Sequence, residues 1–199
     1  MADMARRHHP SWAEDLDGTL AEAFRLLSRG VADRRSPFHT PCLGTIGADG
    51  VPMLRTVVLR GVEVAARRLR IHTDLRSAKV GEIRACGAVA VHGYDPAAQV
   101  QLRLSGIATL HADDAVADAA WAASRPFSRR CYAIADAPGS ACAAPPSAPG
   151  DEASGRGNFA ALIVAFDRLE WLWLCAEGHR RARFSWQADG ALSATWLVP

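Results

Sequence analysis

Arg55, Ser77 and Lys79 combine the side-chain types that hold a phosphate group. Lys79 is the only lysine of the chain, and the other 22 of its 23 basic residues are arginine. A lysine kept against that bias indicates a local need for a compact ammonium group. A phosphate dianion needs several donors from different directions, such as a bidentate guanidinium, a hydroxyl and the free amides at a helix start. The spacing therefore predicts a phosphate site built from these three residues, with Arg76 as a further cation.

The same arginines have a simpler interpretation as solvated charges on strand edges. Arg55, Arg60 and Arg76 each fit it individually, because arginine is so frequent in this chain. The interpretation as solvated charges fits these residues less well when they are taken together. A basic strand, a serine able to cap a helix and the single lysine all occur between residues 55 and 79.

Short apolar runs separated by turn signals predict the strands that position these residues. The predicted strands are 42–46, 51–59, 69–73, 88–92, 100–110, 159–166, 169–174, 183–187 and 192–197. Strands do not alternate with helices, and neither a GxGxxG motif nor a Walker glycine loop is present, which argues against a parallel nucleotide-binding sheet. We expect a mainly β (α+β) fold, an antiparallel barrel with peripheral helices.

Three helices and one long loop complete the predicted organisation of a single domain, residues 1–199. The first helix spans about 11–29 and starts at a capping box formed by Ser11 and Glu14. The second helix starts at Ser77, and the third is opened by Asp113 and Asp114. From about residue 136 to 157 the chain is rich in Ala, Pro, Gly and Ser, so we expect a mobile loop there rather than a domain boundary.

Composition and charge argue against several classes of function. The net charge of +2 is too small to indicate a nucleic acid or an anionic membrane as partner. The five cysteines are odd in number and contain no CxxC pair, which argues against a disulfide framework and against a metal site. No signal peptide is visible, and the most hydrophobic later stretch carries Asp167, Arg168 and Glu170. We expect a cytoplasmic protein that has no membrane segment.

Several motifs in a fixed order resemble the pyridoxamine 5′-phosphate oxidase-like split barrels, which bind flavin mononucleotide (FMN). They are Arg-x-Val-x-Leu-Arg at 55–60, Thr-Asp-x-x-Ser-x-Lys at 73–79, Gln101, Ser-Arg-Pro at 124–126, and Trp173 followed ten residues later by Arg183. The resemblance covers residues 37–199 except for 136–157. It implies an antiparallel split barrel, FMN as cofactor, and a homodimer with the flavin at the subunit interface.

The resemblance also implies a role for each matching residue. Arg55 and Lys79 bind the flavin phosphate with help from Ser77, and Gln101 hydrogen-bonds the ring. Trp173 and Arg183 reach the flavin of the partner chain, although Trp173 alone could equally be a core tryptophan. The remaining cofactor-binding positions, which lie along the ring and ribityl chain or near the phosphate, are Thr56, Val57, Val58, Leu59, Arg60, His72, Thr73 and Arg76.

Departures from the family pattern concern the substrate. The family's tyrosine and serine around Arg125 are Trp121 and Arg129 here, the second basic residue of the phosphate motif is Ala78, and its Gln-Ser flavin contact is lost at 137–139. The chain is closer to the cyanobacterial-type branch than to true pyridoxamine-phosphate oxidases.

The predicted function is an FMN-dependent oxidoreductase acting on a small, anionic substrate. Arg125, His179 and Arg181 would form a cationic pocket for it. His179 would serve as an acid or base in this pocket, or is simply a surface histidine. The alternatives are a non-catalytic protein that binds or sequesters FMN, and a haem-binding relative built on the same barrel.

Overall fold

The computed structural model describes residues 10–145 and 149–199. Within these residues the chain forms nine β-strands and four α-helices. The strands are β1 Cys42–Ile46, β2 Pro52–Thr56, β3 Leu59–Glu63, β4 Arg68–Asp74, β5 Ala88–Asp95, β6 Val100–His111, β7 Phe159–Trp173, β8 Arg180–Trp186 and β9 Leu192–Leu197. The helices are α1 Leu16–Ala32, α2 Ala78–Ala85, α3 Ala115–Ala122 and α4 Pro126–Arg129.

All strands pair antiparallel in one sheet, in the order β2-β1-β5-β6-β7-β4-β3. The 15-residue strand β7 pairs with β6 along one side, while its other side is divided between two partners. Residues 159–165 of β7 pair with β4, and residues 168–173 pair with β8, which in turn carries β9. The antiparallel split-barrel fold predicted from the sequence is confirmed, and the sheet is open rather than closed.

Three of the predicted strands are divided wrongly. The predicted strand 51–59 is two strands, because the chain leaves the β1 ladder at Val57 and starts a new pair at Leu59. The predicted strands 159–166 and 169–174 are one, because the exposed Asp167 and Arg168 lie at a bulge opposite Ser105 and Gly106 without ending the ladder. Only glycine fits at 106, since a Cβ there would lie 2.1 Å from the Ala165 carbonyl oxygen.

The first helix also differs from its prediction. Ser11 begins a short 3-10 turn instead of capping the helix, and the Asp15 carboxylate accepts the Gly18 amide at the true start of α1. Glu14 pairs with Arg180 at 3.0 Å instead of closing a capping box. The helix continues through Gly30, which has no Cβ and so lets the Phe38 backbone approach closely.

The segment predicted as a mobile loop, about 136–157, contains no strand in its described part and ends in a 3-10 helix at Glu152–Asn158. Residues 146–148 of it, like the N-terminal residues 1–9, lie outside the described residues, and its mobility stays a prediction. None of the described helices is long and apolar enough to cross a membrane.

Candidate cofactor and substrate site

Side chains of the predicted phosphate anchor lie together where β4 runs into α2. The Lys79 ammonium lies 3.2 Å from the Thr73 hydroxyl and 3.1 Å from the Ser77 hydroxyl, which are themselves 3.2 Å apart. Ser77 occupies the N-cap position of α2, but its hydroxyl donates back to the Asp74 carbonyl at 2.7 Å and makes no cap bond. Side-chain donors and the α2 N-terminus therefore meet at one point, as a phosphate site requires.

Arg55 faces this anchor from β2. It stands opposite the buried Leu43 on the core side of the sheet, and its guanidinium bonds the Thr45 hydroxyl and, at 2.7 Å, the Glu82 carboxylate of α2. Glu82 thus fixes the orientation of Arg55 and ties β2 to the helix.

The electrostatics of the anchor suit an anion. Burial and then the positive charge of Arg55 lower the pKa of Lys79 below its ordinary value, while the carboxylates of Asp74 and Glu82 act in the opposite direction. A phosphate next to Lys79 would offset both the burial and the repulsion from Arg55, because an adjacent negative charge favours the ammonium form. The residues present therefore fit a phosphorylated cofactor.

Arg76 is engaged elsewhere. Its guanidinium bonds the Asp74 carboxylate at 2.8 Å and the carbonyl oxygens of Ile134 and Ala135 at 3.0 and 2.8 Å. It thereby holds the segment after α4 against the start of α2. Its predicted contact with the flavin phosphate is not among these interactions and stays a prediction.

The segment from Arg55 to Arg60 connects the anchor to a cavity. Between β2 and β3 the residues Val57 and Val58 leave the ladder, and the Val57 amide donates to the Pro41 carbonyl. Five extended residues span roughly 17 Å. A long ligand can therefore follow this backbone from the anchor toward Leu59 and Arg60.

The cavity at the far end of this segment encloses about 200 Å³. Its walls come from the end of α1, from β3 and β4, and from the α3–α4 connection. The polar lining residues are Arg34, His39, Arg60, Arg70, His72, Ser124, Arg125 and Ser128. Four residues with predicted roles are brought together here, namely Leu59, Arg60, His72 and Arg125.

His72 is a neutral side chain in this positive environment. Burial, and then the charges of Arg60 and Arg70, lower its pKa from 6.5 to about 4. Its Nδ1 lies 3.4 Å from the Ser124 hydroxyl, and its ring packs edge-on against Phe159 at 4.9 Å. At neutral pH this histidine is therefore uncharged and lacks the second ring proton that an imidazolium acid would donate.

We expect His72 to make the protein acid-sensitive between pH 6.5 and about 4. Its pKa is depressed by folding, so the unfolded chain binds the proton more readily in that range and stability falls as the pH drops. The full shift corresponds to about 3 kcal/mol. Urea unfolding of the wild type and of His72→Gln should show stability curves that converge at low pH. Parallel curves would contradict this prediction.

Gln101 and Arg183 lie on the opposite face of the sheet from the anchor. Gln101 stands between the buried Val100 and Leu102, and Arg183 between the buried Ala182 and Phe184, so both point away from the core. The Gln101 amide oxygen lies 3.2 Å from His92 Nε2.

Glu170 lies opposite Arg183 on this outer face. Burial raises its pKa, but the hydrogen bond from Arg181 and the charges of Arg103 and Arg183 outweigh this and hold the pKa below its ordinary value. The carboxylate therefore stays ionised among three arginines.

Trp173 lies far from the anchor of its own chain. Thr73 pairs with Ala160, and Trp173 is 13 residues further along the same strand, roughly 40 Å in an extended chain. Its ring packs on Trp12 at 5.9 Å, which agrees with the core alternative. Its contact with a partner's flavin stays a prediction.

The three predicted substrate residues do not meet within one chain. Arg125 lines the cavity described above, whereas His179 and Arg181 line a second cavity with Trp196. His179 Nδ1 accepts the Cys175 amide at 3.1 Å, and Arg181 bonds Glu170 at 2.7 Å. Any joint role of the three requires two chains.

Sequence reasoning missed Glu82, Arg34 and Arg70. Glu82 follows Lys79 by three residues on α2, the spacing that puts two side chains on one helix face. Arg70 and His72 alternate along β4 and so share a face, which could have been noticed. Arg34 carries no such signal, because only the packing of the segment after α1 brings it to the cavity.

Residues 11–112 match the family model described as pyridoxamine 5′-phosphate oxidase, FMN-binding domain. The chain belongs to this family. A pyridoxine/pyridoxamine 5′-phosphate oxidase 2 of Arabidopsis thaliana is 32% identical over 165 residues, covering 77% of this chain and 82% of that protein. The resemblance drawn from the motifs is thereby confirmed, and FMN is the cofactor of this family of proteins and of this chain.

Solved structures agree with the family in fold. A pyridoxamine 5′-phosphate oxidase-related, FMN-binding protein of Nostoc punctiforme superimposes with a TM-score of 0.76 at 25% identity, covering 90% of this chain and 96% of that one. PhzG of Burkholderia lata, solved with tetrahydrophenazine-1-carboxylic acid, gives 0.73 at 19% identity and covers 97% and 98%. At that identity the second likeness shows the fold alone.

Two departures from the oxidase pattern have a structural use in this family member. The Arg129 guanidinium stacks over the Trp121 ring at 5.2 Å and donates to the Trp121 carbonyl at 3.1 Å. Trp121 in turn packs edge-on against Phe159 at 5.2 Å, in a small apolar cluster with Tyr132. Both side chains are therefore engaged with each other and with the core beside the cavity.

Proposed function

We propose that this chain is an FMN-dependent oxidoreductase that acts on a small anionic substrate as a homodimer. The proposal rests chiefly on one arrangement. An anchor built around Lys79 is joined by the Arg55–Arg60 backbone to a cavity whose charged lining residues are all arginines.

The anchor supplies the grip on the cofactor phosphate. Lys79 and the hydroxyls of Thr73 and Ser77 converge there, and Arg55 adds a second full charge held in place by Glu82. Charge-assisted hydrogen bonds of this kind are about twice as strong as neutral ones. The segment Thr56–Val58 then offers main-chain groups along the path to the cavity.

A second chain is needed to complete the site. Gln101 and Arg183 point away from the core face on which Arg55 stands, and Trp173 lies roughly 40 Å of extended strand from Thr73. One flavin cannot contact both the anchor and these three residues of the same chain. A symmetric dimer, in which each chain lends its outer face to its partner's anchor, brings them together.

The outer face of the sheet has the apolar character that a homodimer interface requires. Leu54 on β2 is 72% exposed and Ile107 on β6 is 57% exposed. Small residues lie between them on the same face, namely Gly44 opposite Leu54, and Ala88 opposite Ile107. Such a flat, apolar and exposed patch is typical of a protein–protein contact.

Bound FMN supplies hydride and electron transfer between substrate and acceptor. The residues of this chain bind and orient the cofactor and the substrate, and they exclude water from the site. Arg60 and Arg125 hold an anionic group of the substrate at the cavity, and His72 stays neutral beside them. From the partner chain, His179 and Arg181 are positioned by Cys175 and Glu170 to close the site.

Vitamin B6 phosphates are poor candidates for the substrate, although the Arabidopsis relative is named for them. The Arg129–Trp121 stack occupies the positions where the family's oxidases place a serine and a tyrosine. We expect oxidation of pyridoxine 5′-phosphate to be weak or absent.

The test begins with the purified protein and its chromophore. We expect a yellow preparation that releases FMN on denaturation, and reduction of the bound flavin by NAD(P)H or by a substrate. Oxygen uptake with pyridoxine 5′-phosphate should stay near background. A protein that binds no FMN would overturn the proposal, and one whose FMN is never reduced would be a non-catalytic binder. Rapid turnover of pyridoxine 5′-phosphate would show that the stacked pair does not exclude B6.

A further inference from the structure

The cavity beside the flavin path carries more positive charge than one anionic group can balance. Arg34, Arg60, Arg70 and Arg125 all line it, and no acidic residue is among its described lining residues. None of the four has a carboxylate within ion-pair distance in residues 10–145 and 149–199.

Three other partly buried arginines of this chain each have a carboxylate partner. Arg55 pairs with Glu82 at 2.7 Å, Arg76 with Asp74 at 2.8 Å, and Arg156 with Asp118 at 2.6 Å. A guanidinium that loses water without gaining a carboxylate is costly. Of the four cavity arginines, Arg60 and Arg70 are partly buried, whereas Arg34 and Arg125 are exposed. Because no acidic residue is among the described lining residues, the four charges together indicate that a ligand supplies their counter-charge.

Arg70 is the clearest case. It is partly buried on β4, and its Nε is fully buried without any hydrogen-bond partner. One of its terminal nitrogens donates to the Arg60 carbonyl at 3.3 Å, which fixes the guanidinium over β3. Gly61 makes room for it, since a Cβ there would lie 3.3 Å from Arg70 Nε. The guanidinium is thus held at the cavity wall by backbone contacts rather than by an acid.

The positive field is also felt by a neighbouring group. The charges of Arg60 and Arg70, after burial, are what depress the pKa of His72. That histidine consequently stays neutral and leaves the four arginines as the full charges of the cavity.

A charge count decides how many anionic groups the cavity suits. A phosphate monoester carries about −1.5 to −2 charges at pH 7. One such group balances two arginines, and two arginines remain. We propose that the substrate carries two separate anionic groups, phosphate or carboxylate, and that Arg34 and Arg70 bind the second one. This inference rests on the proposed function, because it describes the substrate of the same site.

Calorimetric titration with a matched pair of probes tests this. Propane-1,3-bisphosphonate carries two anionic groups, and propylphosphonate carries one on the same carbon chain. In protein saturated with FMN, so that the anchor is filled, we expect the bisphosphonate to bind about tenfold more tightly or better, the effect of one added charged hydrogen-bond set.

Variants test whether Arg34 and Arg70 cause the preference for the bisphosphonate. Arg34→Gln and Arg70→Gln should each reduce the ratio of the two affinities toward one, while the affinity for propylphosphonate changes less than about threefold. Arg34 is at an exposed position. Arg130→Gln is the matched control, because Arg130 is exposed and does not line the cavity. It should leave the affinities for both probes unchanged.

Three outcomes would overturn the inference: equal affinity for both probes, no binding of either, or a preference that survives in both Arg34→Gln and Arg70→Gln. Failure of the proposed function is a separate result, recognised by the absence of releasable FMN. In that case the titration is made in the Lys79→Ala background, where the anchor no longer competes for the probes, and it decides the inference independently.

Discussion

Replacing Lys79 with alanine is expected to weaken FMN binding by about 1.5–3 kcal/mol, the range for hydrogen bonds to charged groups. The ammonium is the centre of the anchor, 3.2 Å from Thr73 and 3.1 Å from Ser77. No other described side chain of α2 can replace its charge, because Arg84 is exposed in the last turn. Fluorescence titration of the apoprotein with FMN measures the change.

The pH dependence of this affinity provides an internal check. The pKa of Lys79 is lowered in the free protein, and a bound phosphate raises it again, so binding takes up a proton. Affinity in the wild type should therefore fall as the solution becomes alkaline, and Lys79→Ala should lack that fall. Arg84→Ala, on the same helix, is the control and should bind as the wild type does. Unchanged affinity in Lys79→Ala would remove the phosphate from this position.

Leu54→Asp is expected to convert the proposed dimer into a monomer. Leu54 is 72% exposed on the outer face, so the charge leaves the core of the single chain undisturbed. In a two-fold symmetric interface the same substitution occurs twice, and each buried unpaired carboxylate costs several kcal/mol. Light scattering should then give the 21.3 kDa of one chain instead of about twice that mass.

Loss of the dimer should also reduce FMN affinity, because the outer-face residues of the partner no longer close the site. Val198→Asp is the matched control, since Val198 is 89% exposed and lies beyond the last strand. It should remain dimeric and bind FMN normally. A Leu54→Asp monomer that keeps full FMN affinity would restrict the site to one chain and exclude Trp173 and Arg183 from it.

The anchor could be predicted because its parts are close in the sequence. Thr73, Ser77 and Lys79 lie within one strand-to-helix turn, so local geometry alone brings them together. Strands β1 and β9 were predicted with correct ends for the same reason, each being an apolar run bounded by a turn. Where local chemistry determines the structure, sequence patterns are sufficient.

The sequence predictions fail or are incomplete where a residue's contacts come from segments distant in the sequence. Ser11 and Glu14 have the spacing of a capping box, but Arg180 from β8 takes the glutamate. Nothing in the sequence indicates that Arg76 bonds the carbonyls of Ile134 and Ala135, 58 and 59 residues away, and its contact with the flavin phosphate stays a prediction. Arg34 reaches the cavity only through the packing of α1 on the sheet. None of these contacts is marked by a periodic pattern or a motif in the sequence.

The shared strand β7 has a consequence for how the chain acquires its structure during synthesis. Strands β2, β1, β5 and β6 are neighbours in the sheet, while the β3–β4 hairpin joins them only through β7, which starts at residue 159. Until the ribosome has released that strand, the hairpin has no neighbour in the sheet and the free edge of β6 is open to other chains. The nascent protein therefore carries an unprotected edge from residue 111, where β6 ends, until β7 is complete at residue 173. Slow steps in this part of the message prolong the period in which that edge can pair with another chain.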